Sequence, residues 1–224
     1  MLVLSLFPGA DLLGLAFEQA GFVVVRGPDV MLGQDIRDWH SLPGRFDGVI
    51  GGPPCKMFSR VCKGNTPTQG NLIPEFERVV AESQPGWWVM ENVPGAPVPD
   101  AARWSAVLDA WMFGAGQHRR RRFSSNLVLD PIPLPPDQRC PDPLPCVTGN
   151  EHKGYDRRKA GRKLGRRMTL SEVNEAMGLP ADFSTPCLKV EFAYQVRGNG
   201  VPMQMGRAVA EAVRQVLGAS GSGS

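Results

Sequence analysis

The chain has 224 residues, 42% of them apolar, and a formal net charge of +3. That length suits one compact domain with a small lobe, and the apolar content suffices for a core. No apolar run approaches a membrane span, no charged-then-apolar leader opens the chain, and the five cysteines form no CxxC pair. A membrane protein, a disulfide scaffold and a zinc ribbon are excluded, and a soluble, unprocessed chain in a reducing, cytoplasmic compartment is expected.

In chain order, Leu2 to Phe7 reads as a short buried strand, Gly9 as a turn, and Asp11 to Ala20 as a helix stopped by Gly21. Phe22 to Val25 is a second, β-branched strand ended by Arg26-Gly27-Pro28, and Phe46 to Ile50 is a third. Leu72 to Ser83 has helical spacing with Pro74 in its first turn, Trp87 to Met90 reads as a strand, and Ala101 to Ala110 as a helix. Arg119 to Leu129 reads as a late strand. Seven prolines between Pro131 and Pro145 leave no room for a regular element, and Gly149 to Arg167 reads as a basic loop. Thr169 to Met177 is a helix whose Thr169 and Glu172 form a capping box, and Met203 to Leu217 is a closing amphipathic helix. The alternation of strands and helices predicts an α/β fold, a parallel sheet with helices on both faces. In such sheets ligands bind beyond the carboxyl ends of the strands. Phe7-Pro8-Gly9, Pro28-Asp29, Pro53-Pro54-Cys55 and Glu91-Asn92-Val93 each follow a strand and converge on that edge.

Charge is uneven. Residues 117–167 hold thirteen Lys/Arg against five Asp/Glu, and the remainder twelve against seventeen. A basic middle on a slightly acidic body fits a polyanion contact, although a solvated basic loop has the same composition.

Four features carry chemistry. The turn Phe7 to Gly14 is a weak dinucleotide fingerprint in which Gly9 allows close backbone approach, but Asp11 stands where a second glycine is usual; Asp29, at the end of the second strand, suits ribose hydroxyls. Cys55 follows a double proline that fixes its direction, with Lys56 favouring the thiolate; the competing reading is a small buried hydrophobe, which is assigned to Cys62, Cys140, Cys146 and Cys187. Glu91 ends a strand that opens with Trp87-Trp88, where desolvation makes a carboxyl an acid, unless it is only a cap. Gln117 to Phe123 carries arginine forks suited to phosphates and base edges, with His118 as a spacer.

Taken in order, Phe7-Pro8-Gly9, Pro53-Pro54-Cys55 with Phe58-Ser59, Glu91-Asn92-Val93, Gln117-x-Arg119-x-Arg121, Arg166-x-x-Thr169-x-x-Glu172 leading to Met177-Gly178-Leu179-Pro180, and Gly198-Asn199-Gly200-Val201 resemble the successive motifs of the C5-cytosine DNA methyltransferases, most of all their small phage and bacterial members. The resemblance runs from about residue 2 to residue 217. It implies a Rossmann-like S-adenosylmethionine-dependent methyltransferase sheet with a minimal, mostly irregular target-recognition lobe. The implied organisation is a catalytic and cofactor-binding domain over 1–123, a recognition segment over 124–165, a C-terminal part over 166–217 that returns to the first domain, and a linker-like tail over 218–224.

The resemblance also implies roles. Cys55 is the nucleophile toward carbon 6 of a flipped cytosine, Glu91 assists at N3, Arg121 holds O2, and Arg119 organises the site. Phe7, Gly9, Asp29, Asp35, Ile36, Pro53, Leu72, Asn199 and Val201 surround S-adenosylmethionine, which leaves as S-adenosylhomocysteine. Lys56, Ser59, Gln117, Arg157, Arg158, Arg162, Lys163 and Arg166 face double-stranded DNA. A monomer without metal, in a bacterial or phage-infected cell, is expected. Three departures stand out: Asp11 in the cofactor turn, expected to weaken cofactor binding; Lys56 where the family has glutamine; and the short recognition segment. Alternatives are a tRNA cytosine-5 methyltransferase, an enzyme of free pyrimidine nucleotides using the same Cys–C6 adduct, and a DNA-binding homologue with impaired cofactor binding.

Overall fold

The structure, a computed structural model, describes residues 1–54, 70–149, 168–180 and 182–221, with side chains to residue 219. Six strands, β1 (Leu2–Leu6), β2 (Val23–Arg26), β3 (Gly48–Gly51), β4 (Trp87–Asn92), β5 (Trp104–Asp109) and β6 (Arg120–Ser125), form one sheet in the order β2-β1-β3-β4-β6-β5. The first four are parallel. The inner strands β1, β3 and β4 are covered on both faces, which is why they read as continuous apolar runs rather than as alternation.

The pleat divides those runs between two cores. Val3, Ile50, Trp87 and Val89 face α1 (Leu12–Gln19) and α5 (Met203–Gly221), where Phe17 and Phe22 pack on Trp87 with ring centroids 5.9 and 5.6 Å away. Leu4, Leu6, Val49, Trp88 and Met90 face α2 (Ile73–Ser83) through Phe76 and Val79. Burying each of these large side chains is worth about 1.5–3 kcal/mol. Gly48 is a glycine because a Cβ there would overlap the Trp87 indole. A third cluster joins Leu12 and Ala16 to α3 (Leu170–Met177) and α4 (Val190–Asn199) through Val173, Met177 and Tyr194.

Several sequence expectations change. Residues 101–110 were expected to form a helix, but β5 runs through them as the edge strand, antiparallel to β6 with Ala106 opposite Phe123. Their helix formers, Ala and Leu, lose to period-2 pairing that sets Trp104 and Leu108 against the core. The sheet is therefore mixed rather than all parallel, since β6 is also antiparallel to β4. The late strand is shorter than expected, and α4 was not anticipated at all. Its inner face carries Arg197, which is 1% exposed and bonded to Asn174 Oδ1 at 2.6 Å and the Phe183 carbonyl at 3.0 Å, so the apolar period is broken by a charge. The capping box on α3 forms as expected: the Glu172 amide donates to Thr169 Oγ1 at 3.2 Å and the Thr169 amide to Glu172 Oε2 at 2.7 Å. Among the described residues, no helix is long and apolar enough to cross a membrane.

Candidate active site

The strand order reverses at β1, which places a crevice beyond the carboxyl ends of β1 and β3. A cleft of about 290 Å³ lies there. Phe7, Gly9, Asp29, Asp35, Ile36, Pro53, Leu72, Asn199 and Val201 all line it, and so do Glu91 and Arg121. Residues scattered from position 7 to position 201 thus share one cavity because the ends of β1 to β4, the start of β6 and the end of α4 meet at the same edge of the sheet.

The first wall is the turn between β1 and α1. Phe7 and Gly9 both have positive φ, 55° and 54°; the conformation is free for glycine and strained for Phe7. Asp29 ties this turn to the next: its carboxylate accepts from the Gly9 amide at 2.9 Å and from the Met31 amide at 2.7 Å. A carboxylate has about four acceptor sites, so two remain for hydroxyl groups in the cleft. Asp35 is held by Arg37, whose Nη2 and Nε donate at 2.6 and 3.0 Å; this pairing brings its carboxyl down to about 2.

Asp11 also lines the cleft. It sits at φ 53°, and its side chain caps α1. Oδ1 accepts from Ser5 Oγ at 2.7 Å and from the Gly14 amide at 3.1 Å, while Oδ2 pairs with Arg26 Nε at 3.1 Å. A Cβ at Gly14 would occupy the space of this carboxylate. Burial pushes the Asp11 carboxyl up to about 6, against the pull of Ser5 and Arg26.

The second wall carries the acid. Glu91, 8% exposed, is the penultimate residue of β4, and its Oε1 lies 2.9 Å from Arg121 Nε. Burial raises the Glu91 carboxyl above the usual range, and the guanidinium charges of Arg121 and Arg119 oppose this without cancelling it. Gly52 lets the loop after β3 approach, since a Cβ there would stand 3.0 Å from Glu91 Oε2. Asn92, which sequence reasoning passed over, fastens that loop: its Nδ2 donates to the Pro53 carbonyl at 3.2 Å. An amide directly after the carboxylate in Glu91-Asn92-Val93 was the available signal. Cys55, Lys56, Ser59, Arg157, Arg158, Arg162, Lys163 and Arg166 lie outside the described residues.

Gln117 is a correction: the sequence reading gave it to DNA, yet it is 0% exposed and does not line the cleft. Arg119, grouped with the catalytic residues as the one that organises the site, is 1% exposed and stands behind the cleft rather than in its lining. Gln117 Nε2 donates to the Ala176 carbonyl at 2.7 Å, and its Oε1 accepts from the Val147 amide at 2.8 Å. Arg119 donates to the carbonyls of Val147, Gly198 and Gly200 at 2.8, 2.8 and 2.9 Å. Most of their hydrogen bonds go to backbone, with Cys146 and Met177 sulfurs also in reach and Arg119 Nε left without a partner, so they hold the frame. His118 is solvent-facing and paired with Asp109 at 2.9 Å, away from the cleft. Among the described residues, no group of three or more His, Cys, Asp or Glu is placed to hold a metal.

The chain has counterparts among known proteins in sequence and in fold. The chain is 31% identical over 158 residues to the Type II methyltransferase M.FnuDI of Fusobacterium nucleatum, a match covering 55% of this chain and 46% of that protein. It therefore spans about half the length of that relative. It is 22% identical to the Type II methyltransferase M.NgoPII of Neisseria gonorrhoeae over 97% of this chain and 96% of that one. In fold it is similar to the S. pombe Dnmt2 methyltransferase, with a TM-score of 0.68 at 13% identity, over 96% of this chain and 99% of that one. The sequence profile described as C-5 cytosine-specific DNA methylase matches residues 29–103 and 138–215, which is most of the chain, and so the protein belongs to the C-5 cytosine-specific DNA methylase family.

Proposed function

We propose that the chain transfers a methyl group from S-adenosylmethionine to carbon 5 of a cytosine in double-stranded DNA. The observation that carries this reading is the shared cleft: the residues suited to a nucleoside cofactor and the Glu91–Arg121 pair open into one cavity, reached by the Pro53-Pro54 turn that leads to Cys55. The cleft fits the cofactor. Its volume is near the lower end of small-ligand sites, its walls include Phe7, Ile36, Leu72 and Val201, and Asp29 keeps acceptor sites for ribose hydroxyls. When bound, the cofactor supplies the methyl group.

The chain's own residues do the rest. The Cys55 thiolate adds to carbon 6 of a cytosine that has left the stack, since that atom is out of reach within a duplex. Glu91, whose carboxyl burial raises, donates its proton to ring N3, which takes up the electron pair displaced by the addition. Arg121 supports the adjacent oxygen. Loss of the carbon 5 proton then lets the carbon–sulfur bond break and returns the thiolate. Arg157, Arg158, Arg162, Lys163 and Arg166 supply phosphate partners, and Lys56 and Ser59 follow the nucleophile toward the substrate.

The test is transfer of label from S-adenosylmethionine to duplex DNA, tRNA and dCMP offered in parallel. Label in DNA alone supports the reading. Label in tRNA alone, or in the free nucleotide, replaces it, and binding of DNA without any transfer favours a non-catalytic homologue.

A further inference from the structure

The proposed chemistry gives no role to one carboxyl on the wall of the cleft. Asp11 lines the cleft, as do Ser5, Ala10 and Leu12, yet it is only 4% exposed. Its Oδ1 is engaged twice, accepting from Ser5 Oγ at 2.7 Å and from the Gly14 amide at 3.1 Å. Oδ2 is buried and accepts no hydrogen bond. Arg26 Nε stands 3.1 Å away, near enough to pair by charge but not aligned to donate. The Arg26 side chain is 42% exposed and is shared with Glu18, whose Oε1 lies 3.0 Å from its Nη2, so its hold on Asp11 is weakened by solvent. Burial outweighs these partners, and the carboxyl titrates at about 6. The other charges on the cleft wall have closer company: Asp35 with Arg37, Glu91 with Arg121, and Asp29 with the amides of Gly9 and Met31. Among the described cleft residues, only Asp11 has a carboxylate oxygen that is buried and without a hydrogen bond.

We propose that Asp11 is the counter-charge for a cation bound in the cleft, so that the protein distinguishes a sulfonium cofactor from the neutral thioether that it becomes. A buried carboxyl with an unsatisfied oxygen favours its neutral form, and a positive charge entering the cleft beside it favours the anion. As the cation binds, the Asp11 proton leaves for solvent. After transfer the ligand has lost the charge on sulfur while its other groups are unchanged. The anion then loses a partner, and Asp11 takes its proton back. The sign follows from linkage. A bound cation lowers the Asp11 titration below 6, so affinity for the cation rises with pH up to about 6 and is level above it. One proton exchanged sets a limit of about tenfold per pH unit. The carboxylate that the sequence marks as an obstacle in the cofactor turn thereby favours the cofactor over its product.

This inference rests on the proposed function, and the experiment separates the two. Dissociation constants for S-adenosylmethionine and S-adenosylhomocysteine are measured by calorimetry from about pH 5 to about pH 7.5, on either side of the Asp11 titration. Two buffers of different ionisation enthalpy count the protons released. In the unaltered protein the ratio of the two affinities should move toward the cofactor by about three- to tenfold across this range, with more proton released by the sulfonium than by the thioether. Asp11→Asn keeps a short polar cap and should make the ratio independent of pH. Arg26→Gln withdraws the charge that lowers the Asp11 carboxyl and should carry the transition to higher pH. A carboxyl that only capped α1 would change both affinities alike and leave the ratio flat. Glu91 is the other raised acid on the cleft wall, so Glu91→Gln is the control, and the transition should persist in it. If Asp11→Asn fails to fold, the proton count in the unaltered protein and the shift in Arg26→Gln decide. Failure to bind either nucleoside removes the functional reading, and the inference with it. Binding of both with a ratio that ignores pH, or a transition that survives Asp11→Asn or vanishes with Glu91→Gln, overturns the inference alone.

Discussion

Arg121 Nε lies 2.9 Å from the Glu91 carboxylate, reaching from β6 to its neighbour β4 inside the cleft. The pair sets two opposed influences on one proton. Burial favours the neutral acid and the guanidinium favours the carboxylate, and burial prevails. On the proposed mechanism, Glu91→Gln removes the proton donor and keeps the shape. Turnover should fall by about 10²–10⁴-fold while S-adenosylhomocysteine affinity stays the same. Arg121→Met should raise the Glu91 carboxyl further, so the alkaline limb of the rate profile moves to higher pH as the overall rate drops. Single-turnover methylation across pH reads both, and a limb moving to lower pH would show that Arg121 does not act on Glu91.

Asp11 gives a stability prediction. Its carboxyl rises from 3.8 to about 6 on folding, so between those values the folded state holds a proton that the unfolded state has lost. Stability contributed by this group is full below pH 3.8 and is lost as pH rises toward 6. A shift of about two units corresponds to about 3 kcal/mol. Asp11→Asn keeps a short polar cap that tolerates the left-handed backbone and removes the titration. Its denaturant-unfolding free energy, compared with that of the unaltered protein, should gain with pH across this window and then level off. A difference that is flat across the window would mean that Ser5 and Arg26 fully offset the burial.

The same residue marks where the sequence stops being legible. The strand ends were readable because apolar runs broken by Gly and Pro locate the carboxyl edge of a parallel sheet, and Phe7, Asp29, Pro53 and Glu91 follow from that rule. The direction of the Asp11 side chain was not, because it depends on one left-handed φ and on a glycine three residues later that leaves room for the carboxylate. That Gln117 and Arg119 are interior was not legible either, since amides and arginines are usually exposed, and only carbonyls brought together from residues 147, 176, 198 and 200 make them so. Strand β5 was hidden for a related reason: its partner β6 lies later in the chain, and pairing overrode the local preference of Ala and Leu for helix.

Gly52 is a spacing requirement. A Cβ there would stand only 3.0 Å from Glu91 Oε2, so its absence lets the loop after β3 pass the carboxyl without crowding. Gly52→Ala should fold normally, bind S-adenosylhomocysteine, and methylate at least tenfold more slowly, since a displacement of about 1 Å in a reacting group can cost about 10²-fold. Thermal unfolding, calorimetry and rate measurements together isolate the effect. An unimpaired rate would place the working position of Glu91 away from this loop.

Asn92 and Cys55 make the last prediction. The Asn92 side chain donates to the Pro53 carbonyl at 3.2 Å and accepts from the Val93 amide at 2.8 Å, so it fixes the turn whose next residues are Pro54 and Cys55. If Cys55 attacks carbon 6, DNA carrying 5-fluorocytosine blocks the final elimination, because no proton is left at carbon 5 to remove. With cofactor present, the protein should then stay joined to the DNA through a denaturing gel. Cys55→Ser should abolish the adduct and Cys62→Ser should not. Asn92→Ala keeps the nucleophile but frees the turn, so the adduct should still form, more slowly by about tenfold for each 1.4 kcal/mol of lost alignment. Trapping that persists without Cys55 would remove the nucleophile assignment; trapping unaffected by Asn92→Ala would leave that assignment standing and show that the two prolines orient the turn by themselves.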